Sequence, residues 1–237
     1  MPPSSPKRTF WRGVRDALPF LLVVGPFGML FGVVGSEAGL NILEILSFSI
    51  VVIAGAAQFT ALQLMVEDVP TLIVLASSLA VNLRLAMYSA SLTPHLGAAP
   101  IWQRALIAYF TIDQSYAMAI ARFEREPEMP LADKVAFFLG CALALTPFWW
   151  AATVLGALLG QAIPDWLALD FALPITFLAL IAPMLRTLPH VAAAVVSVAL
   201  ALAIASLPYN LGLLVAGLGG MMAGAEVERR QTRRAKP

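Results

Sequence analysis

Residues 17–35 read ALPFLLVVGPFGMLFGVVG, nineteen positions without a charge. A bilayer's hydrocarbon core is roughly 30 Å thick and takes about 20 apolar helical residues to cross. Inside hydrocarbon every backbone N–H and C=O must be bonded within its own segment, so a stretch of this kind is a helix. Similar stretches follow near 42–66, 70–92, 102–122, 134–159, 169–186, 189–206 and 208–224. Only Ser206, Leu207 and Pro208 part the last two. The expected fold is therefore all-α: a polytopic integral membrane helix bundle of about eight (7–8) transmembrane helices, some interrupted by Pro or Gly. The first stretch has the basic start of a signal peptide. However, Pro19, Gly25, Pro26 and Gly28 interrupt it and no small-x-small cleavage site follows. It reads as a retained, kinked helix.

The composition agrees. Of 237 residues, 60% are hydrophobic and 12% charged, about half the charged share of a soluble domain. Mean hydropathy is +0.84. Residues 1–16, 122–134 and 225–237 hold 19 of the 29 charges, leaving 10 for the other 195 positions. A water-soluble surface cannot be built from so few, and disorder is excluded by the same hydrophobicity. A net charge of +1 gives no reason to expect nucleic-acid binding. One cysteine, Cys141, excludes an internal disulfide and a cysteine metal site. With two histidines, His95 and His190, no zinc centre is expected, nor any other metal or cofactor.

The chain divides into a basic N-terminal segment (1–16), a single transmembrane domain (17–224) and a basic C-terminal tail (225–237). Lys7, Arg8, Arg12 and Arg15 flank the first span, and Arg229, Arg230, Arg233, Arg234 and Lys236 the last. The excess of Lys and Arg in cytoplasmic loops places both termini in the cytoplasm and demands an even number of spans. With eight, Arg122, Arg125, Lys134, Arg186 and His190 also fall inside, while Glu37, Asp165 and Asp170 fall outside. Glu67–Asp68 is the exception, since it falls inside without basic neighbours. The pair Ala17-Leu18-Pro19-Phe20…Pro26 and Ala172-Leu173-Pro174-Ile175…Pro183 is a weak internal echo. Matching Pro-interrupted helices can mark a transporter's site, but prolines are common enough in membrane helices to explain it.

Three groups of polar residues lie inside these stretches. Ala54-Gly55-Ala56-Ala57-Gln58-Phe59-Thr60-Ala61 puts four small residues beside an amide in hydrocarbon. It fits a close helix contact with Gln58 as interhelical glue. It also fits a discontinuous helix whose free N–H groups receive a carboxylate. The third stretch carries Ser77, Ser78, Asn82, Arg84, Tyr88, Ser89 and Ser91. At 100° per residue Ser77, Arg84, Tyr88 and Ser91 share one face, and Ser78, Asn82 and Ser89 another. A bilayer arginine costs several kcal/mol unless paired or wet. Asp113, the one acid deep in a span, is its expected partner, with Tyr109 and Tyr116 on the same helical face. Such a pair fixes helix register or serves function. Of the rest, His95 follows Pro94 at a span end, and Arg186 and His190 snorkel at a turn. Trp149 and Trp150 follow Thr146-Pro147, in an interfacial belt or an apolar pocket. Pro19, Pro26 and Gly55 are the candidate helix breaks.

AGAAQFTALQL (54–64), NLRLAMYSASLTPHL (82–96) and TIDQSYAM (111–118), with GVRDALPFLLVVGPFGMLFG (13–32), together resemble the AzlC family, the large subunit of branched-chain amino-acid exporters. The likeness runs over nearly the whole chain. It implies a cytoplasmic-membrane transporter of leucine, isoleucine, valine and relatives such as methionine. It also implies a small membrane partner of the AzlD family, about half this length. The family's motif positions match at Gln58, Asn82, Arg84, Tyr88, Ser91, Pro94 and Asp113. One departs: a Glu often follows the Asp, and here it is Gln114, which bears on proton coupling. A zwitterion with an apolar tail needs donors, an acceptor and an apolar pocket. The substrate or coupling candidates are Gln58, Asn82, Arg84, Tyr88, Asp113 and Tyr116. Arg84 or the broken second helix would serve the carboxylate. Asp113 would serve the ammonium, or take up a proton. No enzyme is expected: an aspartyl intramembrane protease needs two deep carboxylates, a serine type needs a deep histidine, and HExxH is absent. A channel or scaffolding subunit is the other rival.

Overall fold

The computed structural model describes residues 5–161, 185, 187–204 and 211–234. Among these the regular elements are all helical. The chain falls into two compact units, 1–67 with 74–163, and 68–73 with 164–237.

In the first unit α1 (Pro6–Ala17), a 3-10 turn (Leu18–Phe20) and α2 (Leu21–Glu37) form one rod. The expected kink at Pro26 does not end it. α2 runs through Pro26, although the missing N–H leaves the Leu22 carbonyl without its intrahelical donor. Pro19 sits in the 3-10 turn. The basic N-terminal segment is helical from Pro6 onward. Ser5 caps α1 through the Arg8 N–H, and Thr9, Gly13 and Ala17 are buried.

This rod packs along α8 (Leu131–Gln161). A Cβ on Gly13 would strike Phe137 and Cys141, on Gly28 Trp149 and Ala152, and on Gly32 Thr153 and Ala157. Gly140 meets Phe10 in return, and Gly156 meets Met29. The numbers rise together, so the two rods are parallel. Glycine on both sides lets the backbones touch, the common route to tight helix pairing in lipid.

The second candidate span, 42–66, is not one continuous helix. Asn41 and Glu44 form a reciprocal cap that starts α3 (Ile42–Val52). Ile53 and Ala54 then leave helical geometry (φ/ψ 17°/45° and −147°/85°) before α4 (Gly55–Val66). Phe31 meets Phe48 of α3 with ring centroids 5.7 Å apart, and Phe59 of α4 at 5.4 Å. Continuous helix would hold those two rings about 16 Å apart along its axis. The chain therefore reverses at 53–54, and α3 and α4 form a re-entrant hairpin.

The segment 102–122 is a second such hairpin. α5 (Thr71–Leu96) is a full-length helix, followed by α6 (Ile101–Tyr109) and α7 (Asp113–Arg125). Arg84 and Tyr88 meet Asp113, Ser91 meets Tyr116, and His95 meets Phe123. α5 and α7 thus run parallel, and α6, about 13 Å long, returns the chain between them. The first unit has three helices long and apolar enough to cross a membrane, Pro6–Glu37, Thr71–Leu96 and Leu131–Gln161. The two hairpins enter from opposite ends.

This topology gathers Lys and Arg at one end, which also holds Asp16, Glu124, Glu126, Glu128 and Asp133. Phe123 lies by Phe137 and Lys134, and Thr9 by Asp133 (3.1 Å). One end therefore gathers Lys7, Arg8, Arg12, Arg15, Arg104, Arg122, Arg125 and Lys134. Glu37, Glu44 and Glu67 lie at the other, with no Lys or Arg among the unit's described residues there. Glu67, an exception under eight spans, now joins the acidic end. Arg104, which eight spans would put outside, joins the basic one.

In the second unit α9 (Leu188–Ala203) and α10 (Leu211–Arg234) pair. Gly220 and Gly224 lie against Ser197, Ala193 and Pro189. The basic tail is helical through Arg234. There Arg230 bonds to Glu226 and holds its carboxyl below the usual carboxylate range, helped by Arg229. Of the expected span 169–186 only Leu185 is among the described residues; Asp165, Asp170, Pro174, Pro183 and Arg186 lie outside them.

Candidate functional site

The two hairpin tips carry the polar chemistry. At the second tip, Thr111 donates to the Ile107 carbonyl (2.6 Å) and Ser115 to that of Phe110 (2.9 Å), while the Ile112 N–H donates to Ser115 Oγ (3.0 Å). These hydroxyls satisfy backbone groups freed where α6 ends and α7 begins. Asp113 becomes the first residue of α7, where the positive end of the helix dipole favours a carboxylate.

Asp113 faces α5. Arg84 Nη1 lies 3.1 Å from its Oδ2, and the Tyr88 hydroxyl donates to Oδ1 (2.9 Å). Arg84 is thirteen residues from one end of α5 and twelve from the other, so the pair sits at mid-depth. Tyr88 stacks on Tyr116 (centroids 4.1 Å, planes 8° apart), and Tyr116 donates to Ser91 Oγ (3.2 Å). The face Arg84–Tyr88–Ser91 therefore meets Asp113 and Tyr116. The side chains of Arg84 and Asp113 keep 29% and 43% of their surface free. Arg84 Nε has no acceptor. A cation, an anion and a phenol meet here where hydrocarbon would otherwise be. A zwitterion carries the complementary charges.

Asn82 is not in this group. It lies on the other face with Ser78, and Asn82 Oδ1 and Ser78 Oγ are buried without partners. Tyr109 also departs from expectation. The break at 110–112 takes it off the face of Asp113 and Tyr116, and its hydroxyl donates to the Ile50 carbonyl in the last turn of α3 (2.8 Å). That bond joins the two tips.

At the first tip the small residues serve packing. Phe27 and Trp149 press on Gly55, where a Cβ would clash. Phe27 also stacks near Phe59 and Trp149. Trp149 is thus in an apolar pocket and not an interfacial belt. Gln58, fully buried, donates Nε2 to Ser49 Oγ (3.0 Å). Ser49 and Thr153 were not apparent from sequence, though Ser49 stands one hairpin arm before Gln58.

The first unit from Pro19 onward, with both hairpins and the Arg84–Asp113 pair, coincides with the residues 19–163 matched by the family described as AzlC protein. The chain is 28% identical over 223 residues to an uncharacterized membrane protein of Archaeoglobus fulgidus, covering 89% of this chain and 92% of that one. It is 27% identical over 187 residues to the inner membrane protein YgaZ of Escherichia coli strain K12, covering 74% and 73%. No solved structure matches.

Proposed function

The chain belongs to the AzlC family, and from that premise we propose that it is the large subunit of an exporter of branched-chain amino acids: leucine, isoleucine, valine and relatives such as methionine. It works in the cytoplasmic membrane with a small membrane partner of the AzlD family, driven by the proton motive force. The observation that carries this reading is the Arg84–Asp113 pair at a re-entrant tip, at mid-depth and partly exposed. Intramembrane charges in this setting mark solute and proton routes. A substrate that parts the pair presents its carboxylate to Arg84 and its ammonium to Asp113, with Tyr88 and Tyr116 as an aromatic wall. Protonation of Asp113 would release Arg84 in the same way, while Gln114, standing where the family often has a Glu, weakens the case for proton coupling. Tyr88 and Arg84 already occupy both carboxylate oxygens. That occupation favours the rival reading, a structural subunit with a register-fixing ion pair.

The clustering of Lys and Arg at one end supports placing that end, and the N-terminus, in the cytoplasm. The basic tail supports the same for the C-terminus.

The test is counterflow of labelled leucine in vesicles reconstituted with the chain and its partner. An exporter shows saturable flux accelerated by unlabelled leucine on the opposite side. A channel shows no such acceleration, and a scaffold no flux. Asp113→Asn should insert and lose counterflow. Unchanged counterflow in that variant would remove Asp113 from the mechanism.

A further inference from the structure

The rod Pro6–Glu37 has 32 residues, about 48 Å of helix, against about 30 Å of hydrocarbon. Its uncharged part, residues 17–36, is itself about 30 Å long. The charged part therefore stands in the headgroup layer, about 5–8 Å deep on each side, and just beyond it. Arg15 lies about 3 Å and Arg12 about 8 Å along the axis from Ala17. Trp11 and, at the start of α6 at the same end, Trp102 are each 60% exposed, as tryptophans at this depth commonly are.

The inner side of α1 is taken up by α8, where Thr9 meets Asp133 and Gly13 meets Phe137. The outer side is exposed. At 100° per residue it places Arg8, Arg12 and Arg15 within about 60° of arc. Trp11 and the 51% exposed Leu18 run along one edge of that arc, with Lys7 beside them. Among the described residues none of these cations enters an ion pair, whereas Arg122 pairs with Glu126, and Arg229 and Arg230 with Glu226. Asp16 borders the face one turn from Arg12 without pairing to it. Asp133 is turned inward, 2% exposed.

We propose that this outer face of α1, Arg8, Arg12 and Arg15 with Trp11, binds the phosphate of an anionic phospholipid in the leaflet at this end. A guanidinium takes phosphate oxygens two at a time, and two of the three sit at phosphate depth. The indole of Trp11 and the side chain of Leu18 flank the glycerol and the first methylenes. A zwitterionic lipid brings its own ammonium beside the phosphate and is held less well. The site is separate from the Arg84–Asp113 pair, and its test does not depend on transport.

Trp11 is a built-in reporter. The full chain is placed in phosphatidylcholine nanodiscs doped with a small fraction of lipid brominated on its acyl chains, either phosphatidylglycerol or phosphatidylcholine, and tryptophan quenching is read. The part lost in Trp11→Phe belongs to Trp11. There, brominated phosphatidylglycerol should quench as though enriched about fivefold over brominated phosphatidylcholine, the worth of one Lys or Arg at an anionic surface. Arg12→Gln with Arg15→Gln should bring that ratio close to one while the thermal melt stays cooperative, since both side chains are exposed. Arg229→Gln with Arg230→Gln removes the same charge from the C-terminal helix and should leave the ratio unchanged. Inorganic phosphate should not relieve the quenching. A ratio near one in the unaltered chain, or one that survives Arg12→Gln with Arg15→Gln, would overturn the proposal. So would an equal fall in the Arg229 and Arg230 variant, which means diffuse attraction to every basic segment. Relief by inorganic phosphate, which means a site for a soluble anion, would overturn it too.

Discussion

The Tyr109 hydroxyl donates to the Ile50 carbonyl across 2.8 Å, and with it the tip of a hairpin entering from one end of the first unit is tied to the tip of a hairpin entering from the other. Tyr109→Phe keeps the ring and removes the tie, leaving a helix-end carbonyl unmet. The expected cost is about 1–3 kcal/mol, read as a lower melting temperature in nanodiscs. Counterflow should fall while insertion is retained.

The re-entrant topology makes a labelling prediction. In a Cys141→Ser background, single cysteines at Gly39, Glu67, Ala98 and Glu128, all exposed, are treated from one side with a membrane-impermeant maleimide. Gly39 and Glu67 should label from one side, and Ala98 and Glu128 from the other. Eight spans would pair Glu67 with Glu128 and Ala98 with Gly39, so two of the four positions decide.

Arg84→Gln and Asp113→Asn each strand one charge of a pair at mid-depth. A fully buried pair loses about 3–5 kcal/mol when broken. The partial exposure here lowers the expectation to about 1–2 kcal/mol for each single variant. The double variant should be more stable than the sum of the two, with a coupling of about 1 kcal/mol in a double-mutant cycle. Simple additivity would mean that the two side chains do not pair in the membrane.

Gly156→Ala would drive a methyl into the Met29 backbone, which cannot move aside as a side chain could. Overpacking of this kind costs about 1–3 kcal/mol or more. Gly217→Ala, with nothing within 4 Å of the added carbon, should be neutral or slightly stabilising in a helix. The pair of melts separates backbone contact from generic helix propensity.

Much of this was legible in the sequence. Hydropathy is a property of composition along the chain, so the apolar helices stood out. The Arg84–Tyr88–Ser91 face followed from helical periodicity, and its partner from Asp113 being the one deep acid. Reversal was not legible. AGAAQF and TIDQS each break a stretch of spanning length, and hydropathy reads apolar residues equally whether the chain crosses or turns back. Arg104 was the available signal, because eight spans set it apart from the other Lys and Arg. Tyr109 was assigned to the wrong face for the same reason: a 100° periodicity holds only while the helix lasts, and Thr111 with Ser115 ends it. Pro26 misled in the opposite direction, since the rod supported by α8 carries it without breaking.

The glycine-lined contact between Pro6–Glu37 and Leu131–Gln161 sets backbone against backbone at Gly13, Gly32, Gly140 and Gly156, where no side chain acts as a lubricant. Two rods keyed so closely slide or roll only by coming apart. Within the first unit, a cycle of access from one face of the membrane to the other would then fall to elements outside this pair, the short half-helices first among them.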